Sequence, residues 1–273
     1  MKRGRKREKA NVIDIFLKKI ERISRHLVRG ASDSFDIPTL FKDVWRRVEG
    51  KSVSVIIPSY NEEKTVGGVI DAVKKADFVD EIIVVDDGSA DRTSEMARKK
   101  GVGVIRHEKN LGKGAAIKTG IRKAGGKIIL FLDADLENLK PAQITALIEP
   151  AVDGDATFVK SAFDGNGRVT ELTVKPLLKF LFPHVQFSQP ISGQFCARKE
   201  FLERIKLEKD YGMDIGILLD AVRMGETIKE VHIGKIEHRH RPIEARSKDA
   251  EQNIRTILKK AGLLRRIRRR KRR

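Results

Sequence analysis

The sequence predicts an α/β fold in which a mostly parallel, Rossmann-like sheet is flanked by helices. From residue 53 onward, short runs of Ile, Val and Leu alternate with amphipathic helical segments. Such continuous apolar runs are typical of strands that are buried on both faces of a parallel sheet. Hydrophobic residues make up 40% of the 273 residues, which is enough for a sizeable core.

The predicted elements alternate regularly in the first half of the chain and less regularly in the second. The first half is predicted to have strands over 53–58, 81–85, 102–106 and 127–132, with helices over 65–76, 90–100 and 114–124. The second half is predicted to have helices over 141–148, 169–182, 214–224 and 250–264, with strands over 156–160 and 228–236.

The positive charge of the chain is concentrated at its two ends. The net charge is +19, of which residues 1–9 contribute +5 and residues 259–273 contribute +10, so the residues between carry +4. A nucleic-acid-binding protein would carry this charge on one face of its folded body, so nucleic acid is an unfavoured partner. The basic ends are interpreted either as solvated termini or as weak peripheral contacts with anionic membranes.

Cysteine content and hydropathy bear on the compartment. The single cysteine, Cys196, cannot form an internal disulfide, which fits a reducing cytoplasm. The sequence shows neither a signal-peptide pattern nor an apolar run of about 18 residues, so we expect a cytoplasmic protein without a membrane span.

Two polar clusters follow the first two predicted strands. The first consists of Pro58, Ser59, Tyr60, Asn61 and Glu62, and the second is Asp86-Asp87-Gly88-Ser89. Ligands bind at the carboxyl ends of parallel strands, where an aromatic ring and carboxylates suit a base and a ribose. The same residue types also form ordinary turns and helix caps, and this second interpretation stays open for both clusters.

Two further clusters are suited to a diphosphate and a metal ion. Gly112 and Gly114 flank Lys113 at a predicted helix start, where main-chain N–H groups and an ammonium can approach a phosphate. Asp133-Ala134-Asp135 leaves the fourth strand, and two carboxylates there are costly unless a cation such as Mg²⁺ or Mn²⁺ is bound. The alternatives are a glycine-rich turn and a solvated acidic turn.

The second half contributes two candidate binding segments. A glycine-rich loop over 165–171 carries Arg168 and Thr170 towards a helix start, which suits a phosphate or a carboxylate. Taken alone, the same loop is equally explained by a Thr helix cap beside a solvent-exposed Arg, and this alternative stays open. On a strand, His238 and His240 would share one face, where they could supply a metal ligand and a substrate donor.

The run of motifs over 53–135 resembles the family 2-like group of GT-A glycosyltransferases. The second half, with Gly167-Arg-Val-Thr-Glu-Leu172, Tyr211-Gly-Met-Asp-Ile-Gly216 and His238-Arg-His-Arg-Pro242, resembles the glucosyl-3-phosphoglycerate synthases and their mannosyl-transferring relatives. The resemblance implies a GT-A fold with an acceptor-binding C-terminal half. It divides the chain into a basic helical extension (1–50), a nucleotide-sugar-binding half (51–140), an acceptor-binding half (141–258) and a basic tail (259–273).

The resemblance also implies a role for each matched residue. The implied nucleotide-sugar ligands are Pro58, Ser59, Tyr60, Asn61, Glu62, Asp87, Lys113, Asp133, Ala134, Tyr211, Gly212, Met213 and Asp214. The implied acceptor ligands are Gly167, Arg168, Val169, Thr170 and His240, and the implied metal ligands are Asp135 and His238. Asp135, Lys113 and Asp214 are the implied catalytic residues.

The activity implied by the resemblance is metal-dependent transfer of a hexose, with retention, from an NDP-sugar to the 2-hydroxyl of 3-phosphoglycerate. Glucose or mannose, and UDP or GDP, stay open as donor components. The oligomeric state, monomer or homodimer, is also open. The alternative is a polyprenyl (dolichyl) phosphate glycosyltransferase at a membrane surface, which shares the motifs of the first half.

Overall fold

A seven-stranded sheet forms the centre of the fold in the computed structural model. The structure describes residues 51–165, 167–238 and 243–264. For residues 238 and 243–245, it describes only the backbone. The strands of the described chain are β1 (Val53–Ser59), β2 (Val79–Asp86), β3 (Gly103–Arg106), β4 (Ile128–Phe131), β5 (Leu136–Glu137), β6 (Phe158–Ala162), β7 (Phe195–Arg198), β8 (Ile228–His232) and β9 (Glu237–His238). The large sheet has the order β3-β2-β1-β4-β7-β6-β8, and β5 pairs with β9 in a separate ribbon.

Helices cover both faces of the sheet. They are α1 (Val66–Lys74), α2 (Thr93–Lys99), α3 (Lys113–Lys123), α4 (Pro141–Asp153), α5 (Lys175–Leu181), α6 (Lys199–Arg204), α7 (Met213–Met224) and α8 (Ile243–Lys260). A π-helical turn, Thr170–Val174, leads directly into α5.

Alternation along the strands produces two hydrophobic layers. Val53, Val55 and Ile57 of β1 join one layer with residues of α1, α2 and α4. Ile56 of the same strand joins the other layer with residues of α3, α5, α6, α7 and α8. Both faces of the strands are therefore buried, which explains their continuous apolar sequences.

The sheet is mostly parallel, as predicted. Strands β1, β2, β3 and β4 pair in parallel, and so do β6 and β8. In the described sheet, β7 runs antiparallel to both of its neighbours, β4 and β6. The polar residues that precede β7 consequently lie at the edge where the parallel strands end.

The second half differs from the prediction in several elements. Strand β7, helix α6 and the β5–β9 ribbon were not predicted, because each has six residues or fewer and so shows too little periodicity. Helix α8 begins at Ile243 rather than at 250. The prediction placed its start too late because the first two turns are rich in charged residues and show no apolar periodicity. Helix α4 extends beyond 148, because Ala151 and Val152 continue its buried stripe up to Gly154.

Several predictions fall on residues that the structure does not describe. The N-terminal extension 1–50, residues 265–273 of the basic tail and His240 lie outside the described residues. The boundaries between the predicted segments stay predictions. Within the described residues, no helix is both long enough and apolar enough to cross a membrane.

The stacked rings of the central strands should dominate the stability of the core. Phe195 is fully buried, with its ring centroid 4.5 Å from that of Phe131 and 5.6 Å from that of Phe158. We expect Phe195→Ala to lower the free energy of unfolding by about 3–5 kcal/mol, as measured by urea denaturation. The control is Phe180→Ala, because Phe180 is 82% exposed, and its cost should stay within about 0.5 kcal/mol. Equal costs would contradict this packing.

Candidate active site

A cavity of about 670 Å³ opens where β1, β2 and β4 end. It brings together most of the residues singled out in the sequence. Those that line it are Pro58, Ser59, Tyr60, Glu62, Asp87, Lys113, Asp133, Ala134, Asp135, Gly167, Arg168, Val169, Thr170, Tyr211 and Asp214. The two halves of the chain therefore meet in one cavity.

The ammonium of Lys113 lies between two carboxylates inside this cavity. Its Nζ is 2.8 Å from Oδ1 of Asp133 and 3.1 Å from Oδ2 of Asp214, and it lies 5.8 Å from the ring centroid of Tyr211. Burial alone would lower the pKa of Lys113, but Asp133 and Asp214 raise it above its ordinary value. We call Lys113, Asp133 and Asp214 the charge cluster; in it, the lysine stays positively charged at neutral pH.

Two glycines allow Lys113 to reach this position. Gly112 adopts φ +96°, a conformation that glycine tolerates best. A Cβ atom on Gly114 would lie 1.9 Å from the carbonyl oxygen of Glu208, so the start of α3 packs directly against that backbone. The glycines flanking the lysine are thus required by close packing, whether or not a phosphate binds here.

Asp133 is held from the side opposite Lys113. Its Oδ2 accepts a hydrogen bond of 2.9 Å from Nε2 of Gln194. A Cβ atom on Gly193 would lie 2.2 Å from the same carboxylate oxygen, so the chain entering β7 closes around Asp133.

Asp214 is a buried carboxylate with spare hydrogen-bonding capacity. The residue is 4% exposed, and its Oδ1 has no hydrogen-bond partner among the described atoms. Burial raises the pKa of Asp214, and Lys113 and Lys160 offset this effect only in part.

Asp87 has a structural task in addition to lining the cavity. Its Oδ1 accepts from Nδ1 of His107 at 2.6 Å, and its Oδ2 accepts from the N–H of Gly112 at 2.7 Å. This carboxylate therefore anchors the loop that delivers Lys113.

Three residues expected to bind the nucleotide sugar do not line the cavity. Asn61 accepts a hydrogen bond of 2.9 Å from the N–H of Ala90 and so ties together the loops that follow β1 and β2. Gly212 packs against Thr256 of α8, and Met213 is fully buried in the core. Their placement supports the site without facing it.

The β5–β9 ribbon brings the two predicted metal ligands close in the fold. Leu136 pairs with His238, so Asp135 precedes the residue opposite His238. Asp135 is 6% exposed and lines the cavity. Among the described side chains, which do not include that of His238, no group of three or more His, Cys, Asp or Glu could hold a metal ion. A carboxylate and an imidazole fit Mg²⁺ or Mn²⁺ when ligand oxygens complete the set.

The predicted acceptor loop forms another part of the cavity wall. Arg168 is exposed to the cavity, whereas Thr170 is 3% exposed and begins the π-helical turn. The N–H of Lys175 donates to the carbonyl of Thr170, five residues back, which is the bond that defines the π-turn.

Known proteins are similar to this chain in sequence and in fold. The model of "Glycosyl transferase family 2" matches residues 54–212. A glucosyl-3-phosphoglycerate synthase of Mycobacterium tuberculosis strain H37Rv is 34% identical over 242 residues, which cover 78% of this chain and 75% of that protein. The chain belongs to glycosyl transferase family 2.

Solved structures agree with this assignment. A structure of the Mycobacterium tuberculosis synthase with Mn²⁺, UDP-glucose and phosphoglyceric acid superposes with a TM-score of 0.77, at 34% identity and 86% coverage of both chains. Another, with Mn²⁺, UDP-glucose and glycerol 3-phosphate, has a TM-score of 0.76 at 33% identity, covering 86% of this chain and 87% of that one. The predicted family resemblance, GT-A fold and transferase class are confirmed.

Several residues that shape the site of this family 2 transferase were not predicted from the sequence. Lys160 is the most unexpected of them, because it is fully buried in strand β6. Its Nζ donates to the carbonyl of Ser192 at 2.6 Å and lies 5.3 Å from the ring centroid of Phe195. Burial, reinforced by the ammonium of Lys113 and opposed by Asp214, lowers the pKa of Lys160 to about 8.

The other residues that were missed come from β7 and α8. Gly193 lies just before β7, and Arg246 and Asp249 of α8 also line the cavity. For the segment that leads into β7, the one available signal was Gly193 between the polar residues Ser192 and Gln194. The charged start of α8 offered none, since charge runs usually mark solvated faces.

The buried lysine predicts a pH dependence for the stability of this transferase. Between about pH 8 and pH 10.5 the native state releases the proton of Lys160, while the unfolded chain keeps it. We therefore expect this group to make the free energy of unfolding rise with pH across that window, by about 3 kcal/mol in total.

Lys160→Met should lack this rise in denaturation measurements at pH 7.5, 9 and 10.5. Lys118→Met, at an exposed position of α3, should retain it and serves as the control. If the Lys160→Met and wild-type stabilities ran parallel over this range, the burial of a titrating ammonium would be refuted.

Proposed function

We propose that the chain transfers glucose from UDP-glucose to the 2-hydroxyl of 3-phosphoglycerate, giving glucosyl-3-phosphoglycerate, with Mg²⁺ or Mn²⁺ as cofactor. One observation carries the proposal: a single cavity contains both the charge cluster and the Gly167–Thr170 loop. The first suits a sugar diphosphate, and the second suits a phosphorylated acceptor. Relatives that bind UDP-glucose and phosphoglyceric acid support the choice of substrates.

The donor is assigned to the edge formed by β1, β2 and β4. Pro58, Ser59, Tyr60, Glu62 and Asp87 would contact the uridine, with the ring of Tyr60, 47% exposed, available for stacking. Tyr211 and Asp214, which both line the cavity, would contact the glucose hydroxyls.

Lys113 would stabilise the charge that develops on the departing diphosphate. Its ammonium is fixed before the substrate arrives, because Asp133 and Asp214 hold it. A fixed positive charge in a partly dry cavity does not have to reorganise during the reaction, which is the general basis of electrostatic catalysis. The bond from glucose C1 to the diphosphate breaks, a bond to the acceptor oxygen forms, and the acceptor proton leaves on the diphosphate. Transfer with retention is part of the proposal.

Asp135 and His238 would hold the divalent cation. When bound, it would neutralise diphosphate charge and assist its departure as a Lewis acid. The buried position of Asp135 suits this role, since a carboxylate there is stabilised by a positive ligand.

Arg168, with Gly167, Val169 and Thr170, would bind the acceptor phosphate. A guanidinium fork together with main-chain N–H groups matches the geometry of a phosphate monoester. His240 stays part of the proposed acceptor site. A cytoplasmic location is also part of the proposal, and the buried free thiol of Cys196 supports it.

The deciding experiment incubates the purified chain with radiolabelled UDP-glucose, 3-phosphoglycerate and Mn²⁺. Formation of labelled glucosyl-3-phosphoglycerate, lost on chelation with EDTA, is the expected result. Parallel reactions with GDP-glucose, UDP-mannose and GDP-mannose should be slower. Transfer to a polyprenyl phosphate in liposomes, with none to 3-phosphoglycerate, would overturn the proposal in favour of the membrane-surface alternative.

The metal assignment predicts that Asp135→Asn weakens Mn²⁺ binding in the presence of UDP roughly 100-fold or more. Losing even a residue that supports a ligand costs about 10–100-fold in metal affinity. Electron paramagnetic resonance of free Mn²⁺ measures the effect, and turnover should fall in parallel. Asp155→Asn, at an exposed carboxylate paired with Lys229, should bind Mn²⁺ as the wild type does. Normal Mn²⁺ affinity in Asp135→Asn would remove Asp135 from the metal site.

A further inference from the structure

One face of helix α8 runs along the cavity and then along the segment from Tyr211 to Asp214. Arg246 and Asp249 line the cavity. Farther along the helix, Oε1 of Gln252 accepts a hydrogen bond of 3.0 Å from the N–H of Tyr211, and Thr256 lies against Gly212. Spacings of three and four residues place these side chains on one face. The backbone position of α8 is therefore fixed at one end by contacts with the segment that precedes Asp214.

The same helix also packs on the acceptor side of the cavity. Residues of α8 contact the π-helical turn Thr170–Val174, which continues directly from the Gly167–Thr170 loop. Arg246 therefore reaches the cavity from a helix that packs against this turn, whereas Arg168 reaches it from the loop that precedes the turn.

Arg246 is half-buried and has no counter-ion in the part of the chain that the structure describes. Neither Arg246 nor Arg168 makes an ion pair or hydrogen bond with a described residue, whereas Lys113 is paired with two carboxylates. A guanidinium remains charged at any physiological pH, and its partial burial is unfavourable without an anion. The cavity therefore offers two unpaired cations, on two different elements, to an incoming ligand.

We propose that Arg246 binds the carboxylate of 3-phosphoglycerate while Arg168 binds its phosphate. This inference rests on the proposed function. The acceptor carries its two anionic groups at opposite ends of a three-carbon chain, with the reacting hydroxyl on the carbon between them. Two cations on separate elements can hold both ends and so fix the position of that hydroxyl.

The assignment of the two ends follows from the donors available at each arginine. Arg168 is accompanied by main-chain N–H groups and the hydroxyl of Thr170, which suits the larger demand of a phosphate for hydrogen bonds. Arg246 projects from a helix and offers a single fork, which matches the two oxygens of a carboxylate. Arg246 thereby becomes the residue that favours a phosphorylated hydroxy acid over a phosphorylated polyol.

The test compares two acceptors that differ in the carboxylate. Glycerol 3-phosphate retains the phosphate and the central hydroxyl of 3-phosphoglycerate but lacks the acid. Arg246→Ala should lower kcat/KM for 3-phosphoglycerate roughly ten- to hundredfold, the range expected for losing a hydrogen-bonded charge pair. The value for glycerol 3-phosphate, or its inhibition constant if it is not glucosylated, should stay within about twofold of the wild type.

Three companion variants complete the design. Arg168→Ala should weaken the use of both phosphorylated compounds. Lys248→Ala removes one positive charge from an exposed position on the same helix and should leave both values unchanged. Arg246→Gln removes the charge but keeps the aliphatic part of the side chain as far as Cγ and a polar end, and it should reproduce the selectivity of Arg246→Ala. This variant separates lost charge from lost packing.

The outcomes separate the two proposals. Equal losses for both acceptors in Arg246→Ala, or no loss for either, would overturn the assignment of Arg246 while wild-type synthesis of glucosyl-3-phosphoglycerate continued. Failure of the wild type itself to use 3-phosphoglycerate would overturn the proposed function, and this inference with it.

Discussion

The site depends on a buried positive charge that must be kept in one place. Lys113 is held between Asp133 and Asp214, and Asp133 is held in turn by Gln194. A buried ion pair is stable only when its geometry is good and its remaining hydrogen bonds are made. Much of the packing around the cavity meets that requirement. Gln194 satisfies Asp133, Gly193 makes room for it, and Gly112 and Gly114 allow the backbone before α3 to come close. The exception is Oδ1 of Asp214, which is buried and has no hydrogen-bond partner among the described atoms.

The first four strands and the polar residues at their ends could be predicted from the sequence, because the two signals reinforce each other. Long apolar runs define β1, β2 and β4, and polar residues follow at the carboxyl edge, where parallel strands collect them. The role of Asp87 shows the limit of this reasoning. Its carboxylate does line the cavity, but its hydrogen bonds hold the Lys113 loop, and such a contact over 25 residues leaves no local pattern.

The second half was predicted less well, for reasons that lie in its residues. Four residues, Phe195–Arg198, are too few to reveal a strand by periodicity, and their antiparallel pairing depends on β4 and β6 being present on either side. The sequence shows Lys160 only as a charged residue on a predicted strand, and nothing in the pattern predicts that it is fully buried. The start of α8 is charged on all sides, so neither its helical state nor the position of Arg246 had a signal. These features arise from tertiary packing, which propensity does not encode.

The long sequence separation of the contacts around Lys113 and Asp133 has a consequence for how the enzyme is made. Lys113 and Asp214 are 101 positions apart in the chain, and Gln194 follows its partner Asp133 by 61. The ribosome therefore makes strands β1 to β4 long before it makes Gln194 and Asp214, which complete the charged edge of these strands. Until then Lys113 lacks its second partner, Asp214, and Asp133 lacks its hydrogen bond from Gln194. In addition, β4 exposes an unpaired edge that β7 later covers. Contacts of such long sequence separation form late and slowly. The order of synthesis thus completes the charged edge only after β7 and Asp214 have been made. A chain truncated before β7 would lack Gln194 and Asp214 and would expose the edge of β4.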